Sequence, residues 1–192
     1  MRLFVALEIP ERVRENLSAI RNNFSPEDPK VRWVPPQNFH VTLKFIGSVP
    51  TEKLEPIIQA LHRVSFAERI QLRIRGVGWL INAKMAVILF ALVEDSKPLT
   101  ALATAIDQQL QHLGFTPENR TFRPHLTLVR AGRDLPASFQ TALRELAEQH
   151  KQYDFGSVTP EGFHLMESKT LPAGPIYSKM QSFPLVNATA GN

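Results

Sequence analysis

Two short stretches carry the residues best suited to chemistry. Phe39-His40-Val41-Thr42-Leu43-Lys44-Phe45 and Pro124-His125-Leu126-Thr127-Leu128-Val129-Arg130 each set a histidine two positions before a threonine, with an apolar residue between and a leucine after. Each reads as a β-strand, from its alternation and its β-branched or aromatic content. Side chains at i and i+2 of a strand share a face. His40 and Thr42 therefore look one way, and Val41, Leu43 and Phe45 the other. His125 and Thr127 likewise share a face, opposite Leu126 and Leu128.

An imidazole changes charge near neutral pH, at about 6.5 when unperturbed. One histidine can give a proton while a second takes one, and each transfer is worth ~10²–10⁴-fold in rate. Such a pair suits the cleavage of a phosphodiester: one ring activates the attacking oxygen and the other protonates the leaving oxygen. The threonine hydroxyls can hold the non-bridging phosphate oxygens, and nearby cations can stabilise the charge that builds on phosphorus. By alternation Lys44 lies on the histidine face, and Arg123 is a weaker candidate. Strict alternation turns Arg130 away from His125, so it reaches a phosphate only if its strand ends or bulges after Leu128. His62, His112, His150 and His164 stand outside any such pattern and read as structural. Trp33 and Phe39 read as core residues rather than base-stacking ones, and Tyr177 as lying outside the cleft.

The elements that must position these strands follow from periodicity and punctuation. Residues 2–9 read as a buried strand, and Pro10 opens a helix with Val13, Leu17, Ile20 and Phe24 inward. Residues 25–30 read as a loop, and 31–34 as a short extended piece stopped by Pro35-Pro36. Thr51 caps a helix carrying Leu54, Ile57, Ile58 and Leu61. Residues 70–76 read as a strand, and 79–93 as a hairpin turning near Asn82-Ala83-Lys84. Ser96 caps a third helix that Gly114 closes, and residues 136–150 form a fourth. Residues 153–167 and 176–185 read as strands joined by a loop with Pro172, Gly174 and Pro175, and the tail 187–192 frays. Each motif strand thus lies one helix into its half of the chain. Two sheet-plus-helix lobes facing each other would bring the motif strands together across a cleft.

At 192 residues the chain suits a single domain of two lobes, residues 1–192, with a sizeable core. Its net charge of +4 fits an anionic partner such as RNA. Cysteine is absent, which excludes a disulfide framework or a thiol nucleophile and suits a reducing cytoplasm. The apolar start of the chain is too short for a signal peptide, and no run is long enough to span a bilayer. A metal site built on the histidines lacks support, because no His-Glu-x-x-His and no neighbouring carboxylate accompanies either motif.

The two His-x-Thr motifs resemble those of the two-histidine (2H) phosphoesterases. The resemblance is to the bacterial and archaeal RNA 2′,3′-cyclic phosphodiesterases in particular, also called 2′-5′ RNA ligases. It extends to Arg2-Leu3-Phe4-Val5-Ala6-Leu7, to Val31-Arg32-Trp33-Val34 through Gly47, to residues 122–130, and to Ser168, Gly174 and Tyr177. It implies a bilobed α+β fold, with two antiparallel sheets and outer helices related by a pseudo-twofold axis around a central cleft. It implies hydrolysis of a terminal RNA 2′,3′-cyclic phosphate to a 2′-phosphomonoester, without metal or other cofactor, and possible 2′-5′ joining by the reverse chemistry. By the resemblance His40 protonates the departing 3′ oxygen and His125 activates water, while Thr42, Thr127 and Arg130 hold the phosphate; near-symmetry lets the histidines exchange roles. The implied partner is RNA with a cyclic phosphate end, tRNA fragments among the candidates, bound by a cytoplasmic monomer. Two other readings remain open: a non-catalytic module that holds RNA ends, and a phosphodiesterase of a small cyclic-phosphate metabolite.

Overall fold

The structure, a computed structural model, describes residues 1–24, 30–82, 86–94, 96–132, 135–171 and 174–185. Most of the expected 25–30 loop, the tip of the hairpin, Pro172 and the 187–192 tail lie outside the described residues.

The first strand, β1 (Arg2–Glu8), explains the layering. Leu3, Val5 and Leu7 are buried on one face, yet Phe4 and Ala6 on the other are also only 3% and 1% exposed. A strand covered on both sides reads as a continuous apolar run, as this one does. It is central in an antiparallel sheet of order β3-β1-β8-β9, with β3 (His40–Ser48), β8 (Gly162–Leu171) and β9 (Gly174–Pro184). A second antiparallel sheet has the order β2-β6-β5-β4-β7. Its strands are β2 (Val31–Trp33), β4 (Leu72–Ile81), β5 (Val87–Val93), β6 (His125–Ala131) and β7 (Asp154–Val158). The fold is therefore α+β, with the two motif strands in different sheets and β3 lying against β6.

The helices cover the other faces. α2 (Leu54–His62) and α3 (Lys97–Gln111) pack together on the four-stranded sheet, and α1 (Glu11–Ser18) and α4 (Ala137–Gln149) on the five-stranded one. Ser96 caps α3 as expected, its Oγ accepting the Leu99 N–H at 3.2 Å. Pro10 and Pro136 precede the first turns of α1 and α4, where the missing N–H costs nothing. The buried side chains of both lobes form one connected set, from Val41 and Leu165 in one sheet to Leu89 and Leu128 in the other.

Thr51 does not cap the second helix; it opens a 3-10 turn (Thr51–Lys53) that runs into α2, and no side-chain cap hydrogen bond is made there. Three further features differ from the expected elements. The lobes are not sequence halves: β4 and β5 join β6 and β7, while β8 and β9 return to β1. The segments read as separate pieces around Gly76 are one strand, β4. Gly76 carries it through a bulge at φ +84°, where an added Cβ would sit 2.5 Å from the Lys151 carbonyl oxygen. The expected 153–167 strand divides into β7 and β8, in different sheets, because Pro160 has no N–H to give a ladder.

Candidate active site

His40 and His125 are held in the same way. The His40 Nδ1–H donates to the Asn38 carbonyl at 2.7 Å, and the His125 Nδ1–H to the Arg123 carbonyl at 2.9 Å. A carbonyl oxygen only accepts, so each ring carries its proton on Nδ1 and leaves Nε2 free to take one. The Asn38 anchor is itself secured, because its buried side chain donates to the Pro175 carbonyl on β9 at 2.9 Å.

Both strands bulge at the same place. On β3, Val5 pairs with Lys44 but Ala6 with Thr42, so Leu43 is the extra residue. On β6, Leu89 pairs with Val129 but Phe90 with Thr127, so Leu128 is extra. An extra residue reverses alternation from that point on. Arg130 therefore returns to the face of His125 and Thr127, and its Nη2 lies 3.4 Å from Thr127 Oγ1. Arg32 sits directly opposite Arg130 across the β2–β6 pair, and both residues are exposed. The half-buried Thr42 hydroxyl has no hydrogen-bond partner among the described residues.

The same bulge overturns two expectations on β3. Lys44 does not share the face of His40. It is buried against α3, ion-paired with Asp107, and donates to the Thr116 carbonyl at 2.8 Å. Burial alone would raise the Asp107 carboxyl, but hydrogen bonds from Lys44, the Glu118 N–H and Gln111 hold it below the usual carboxylate range. Lys44 thus ties the first motif strand to α3 and to the loop that leads into the second. Phe45, expected in the core, is 63% exposed on the His40 face, beside Phe4 at a ring separation of 6.4 Å.

The surroundings of the two histidines differ. His40 packs against Phe4 at 4.9 Å and meets the edge of Tyr177 at 5.2 Å. Burial pushes its pKa below the ordinary 6.5; the hydrogen bond to Asn38 opposes this, and the charges of Arg130 and His125 add to it. His125 is exposed and meets the edge of Phe90, at 5.7 Å. Gly78 makes room for that ring, since an added Cβ would lie 2.7 Å from it. Burial raises the Tyr177 hydroxyl, against the pull of Arg130 and Arg2. β3 lies against β6, and Arg130 and His125 on the second sheet are within electrostatic reach of His40 on the first.

Tyr177, read from the sequence as outside the cleft, is part of this site. The late Ser168–Tyr177 segment was a signal for it, and the β8–β9 ladder delivers it. Arg123 contributes its carbonyl to His125, and its side chain has no hydrogen bond or ion pair among the described residues. Trp33 packs on Phe24, and Phe39 is buried, both as core residues. His62 rests on Phe183, and His150 donates to the Leu146 carbonyl. His164 bonds Ser182 and faces Glu8 at 3.5 Å. Among the described residues no group of three or more His, Asp or Glu could hold a metal ion, and no helix is long and apolar enough to cross a membrane.

The model of the LigT-like phosphoesterases matches residues 7–82 and 91–177, which takes in both motif strands and Tyr177. The chain belongs to the LigT-like phosphoesterase family. A relative from Methanothermobacter thermautotrophicus, named RNA 2′,3′-cyclic phosphodiesterase, is 32% identical over 186 residues, covering 96% of this chain and 99% of the relative. The crystal structure of a Thermus thermophilus protein superposes with a TM-score of 0.78 at 28% identity, covering 98% of this chain and all of the other. Escherichia coli LigT, crystallised with 3′-AMP, shares the fold at a TM-score of 0.76 and 24% identity, over 97% of this chain and 98% of its own. The matches span nearly all of this LigT-like phosphoesterase and take in both of its lobes.

Proposed function

We propose that this LigT-like phosphoesterase hydrolyses the 2′,3′-cyclic phosphate at an RNA end to a 2′-phosphomonoester, with His40 as general acid and His125 as general base. The observation that carries this reading is the pair of imidazoles on facing sheets, each tied at Nδ1 and free at Nε2. The name of the relatives, RNA 2′,3′-cyclic phosphodiesterase, agrees with it.

An in-line displacement at phosphorus needs the entering and leaving oxygens on opposite sides. The terminal base stacks on exposed Phe45, which puts the nucleoside and its 3′ oxygen on the side of His40. Water enters on the side of exposed His125. His125 Nε2 takes a proton from the water as its oxygen bonds to phosphorus. The P–O3′ bond breaks, and His40 Nε2 delivers a proton to O3′. The 2′-phosphate remains, and proton exchange with solvent resets both rings.

Thr42 and Thr127 donate to the non-bridging oxygens, and Arg130 binds them and stabilises the growing charge. Like charges opposite each other across strands repel, so an anion relieves the Arg32–Arg130 pair. The lowered pKa of His40 in the free protein has the same remedy. Arriving phosphate offsets the Arg130 and His125 charges and lets His40 take the proton that it then gives up. An RNA 5′ hydroxyl in place of water would run the same steps to a 2′-5′ linkage. Residues 1–192 act as one bilobed unit, a monomer in the cytoplasm on RNA ends such as those of cleaved tRNA.

The test is to incubate the protein, with chelator present, with an oligonucleotide ending in a 2′,3′-cyclic phosphate. The expected product ends in a 2′-phosphate. A 3′-phosphate product would overturn the assignment of the leaving oxygen, and tight binding without turnover would leave a module that only holds RNA ends.

A further inference from the structure

Strand β1 sets out a sequence of positions on the cleft face of its sheet. Ala6 lies beside Thr42, Phe4 beside Phe45, and Arg2 beside Ser48. Moving along β1 therefore leads from the phosphate position, past the exposed aromatic ring, to a guanidinium. From Ala6 to Arg2 is four residues, roughly 13 Å of strand. The β1–β8 register, extended by one residue from Leu3 opposite Glu167, sets Arg2 beside Ser168, and Ser168 pairs with Tyr177 on β9. Arg2, Ser168 and Tyr177 thus form a row across the sheet.

Arg2 is exposed and has no ion pair or hydrogen bond among the described residues. Lys179, a further cation on this face, is already held by Glu8 at 2.8 Å. A guanidinium with no ion pair, in the same row of the sheet as a phenolic hydroxyl, supplies two of the donor types that a phosphodiester takes. The ring of Tyr177 touches Phe4 at 5.1 Å and His40 at 5.2 Å, so a group held by its hydroxyl is adjacent to the reacting end.

Resting on the function proposed above, we propose that Arg2 and Tyr177 form a second phosphate subsite. It takes the phosphodiester one nucleotide upstream of the cyclic end. The subsite makes the enzyme prefer an RNA strand to a nucleoside 2′,3′-cyclic phosphate, with Arg2 as a specificity-determining residue that takes no part in proton transfer.

The experiment compares kcat/KM on three substrates: a nucleoside 2′,3′-cyclic phosphate, a dinucleotide ending in the cyclic phosphate, and the same dinucleotide with a neutral methylphosphonate at the internal linkage. The wild-type protein is expected to prefer the charged dinucleotide over the mononucleotide by ~10–100-fold, the range of a charge-assisted hydrogen bond, and to lose that preference with the methylphosphonate. Arg2→Met is expected to erase the preference for the charged dinucleotide and to leave the mononucleotide rate unchanged. Tyr177→Phe is expected to reduce the preference by several-fold. Equal rates on the charged and neutral dinucleotides, or an Arg2→Met loss equal on all three substrates, would overturn the subsite while hydrolysis of the mononucleotide left the function standing. Absence of turnover on every cyclic phosphate would overturn the function and the subsite together.

Discussion

The two motif strands share a plan up to the bulge and diverge after it. His-x-Thr-Leu occupies the same positions on β3 and β6, each histidine is tied to the carbonyl two residues back, and each strand carries its extra residue at the leucine. The next two positions then differ. Where β6 places Val129 in the core and Arg130 on the cleft face, β3 buries Lys44 and exposes Phe45. One strand offers an aromatic plane beside a half-buried imidazole, and the other a guanidinium beside an exposed one. A near-repeat in sequence thus gives two unequal sides, one suited to a nucleoside and the other to phosphate charge and entering water.

The comparison can be broken most directly at the shared positions. His40→Ala and His125→Ala are each expected to lower kcat by ~10²–10⁴-fold with the melting temperature nearly unchanged, read from hydrolysis of a cyclic-phosphate oligonucleotide and thermal unfolding. If one variant kept full turnover, the two strands would not share the work. At the divergent position of β6, Arg130→Met is expected to cost about 10²–10³-fold in kcat, and Arg130→Lys to recover only part of it, because a point charge does not replace the planar fork.

At the buried position of β3 the effect is on stability. Lys44→Met leaves Asp107 without its cation and is expected to cost about 3 kcal/mol, or ~6–12 °C of melting temperature in a chain of this size. The activity of the folded variant would stay near wild type. A large loss of kcat at unchanged melting temperature would return Lys44 to the phosphate. Phe45→Ala is the mildest change: loss of one stacked base is expected to lower kcat/KM by about 10-fold, with a larger effect on a purine end than on a pyrimidine end.

The sequence revealed the His40–Thr42 and His125–Thr127 faces because a period of two needs only local information. It could not reveal which face Lys44, Phe45 and Arg130 occupy. Neither Leu43 nor Leu128 carries a glycine or proline sign of a bulge, and one extra residue inverts everything beyond it. Tyr177 stayed hidden for a different reason: it comes to His40 through pairing of β9 with β8 and of β8 with β1, which no local pattern encodes. The return of β8 and β9 to β1 also explains why two lobes could be expected while their membership could not.

The division of labour between the strands is tested most directly with a cyclic substrate whose 3′ oxygen is replaced by sulfur, a leaving group that needs no proton. His40→Ala is expected to regain most of its lost rate on this substrate, while His125→Ala remains as slow as on the oxygen substrate. Recovery of His125→Ala instead, or of neither variant, would contradict the assignment of acid to β3 and base to β6.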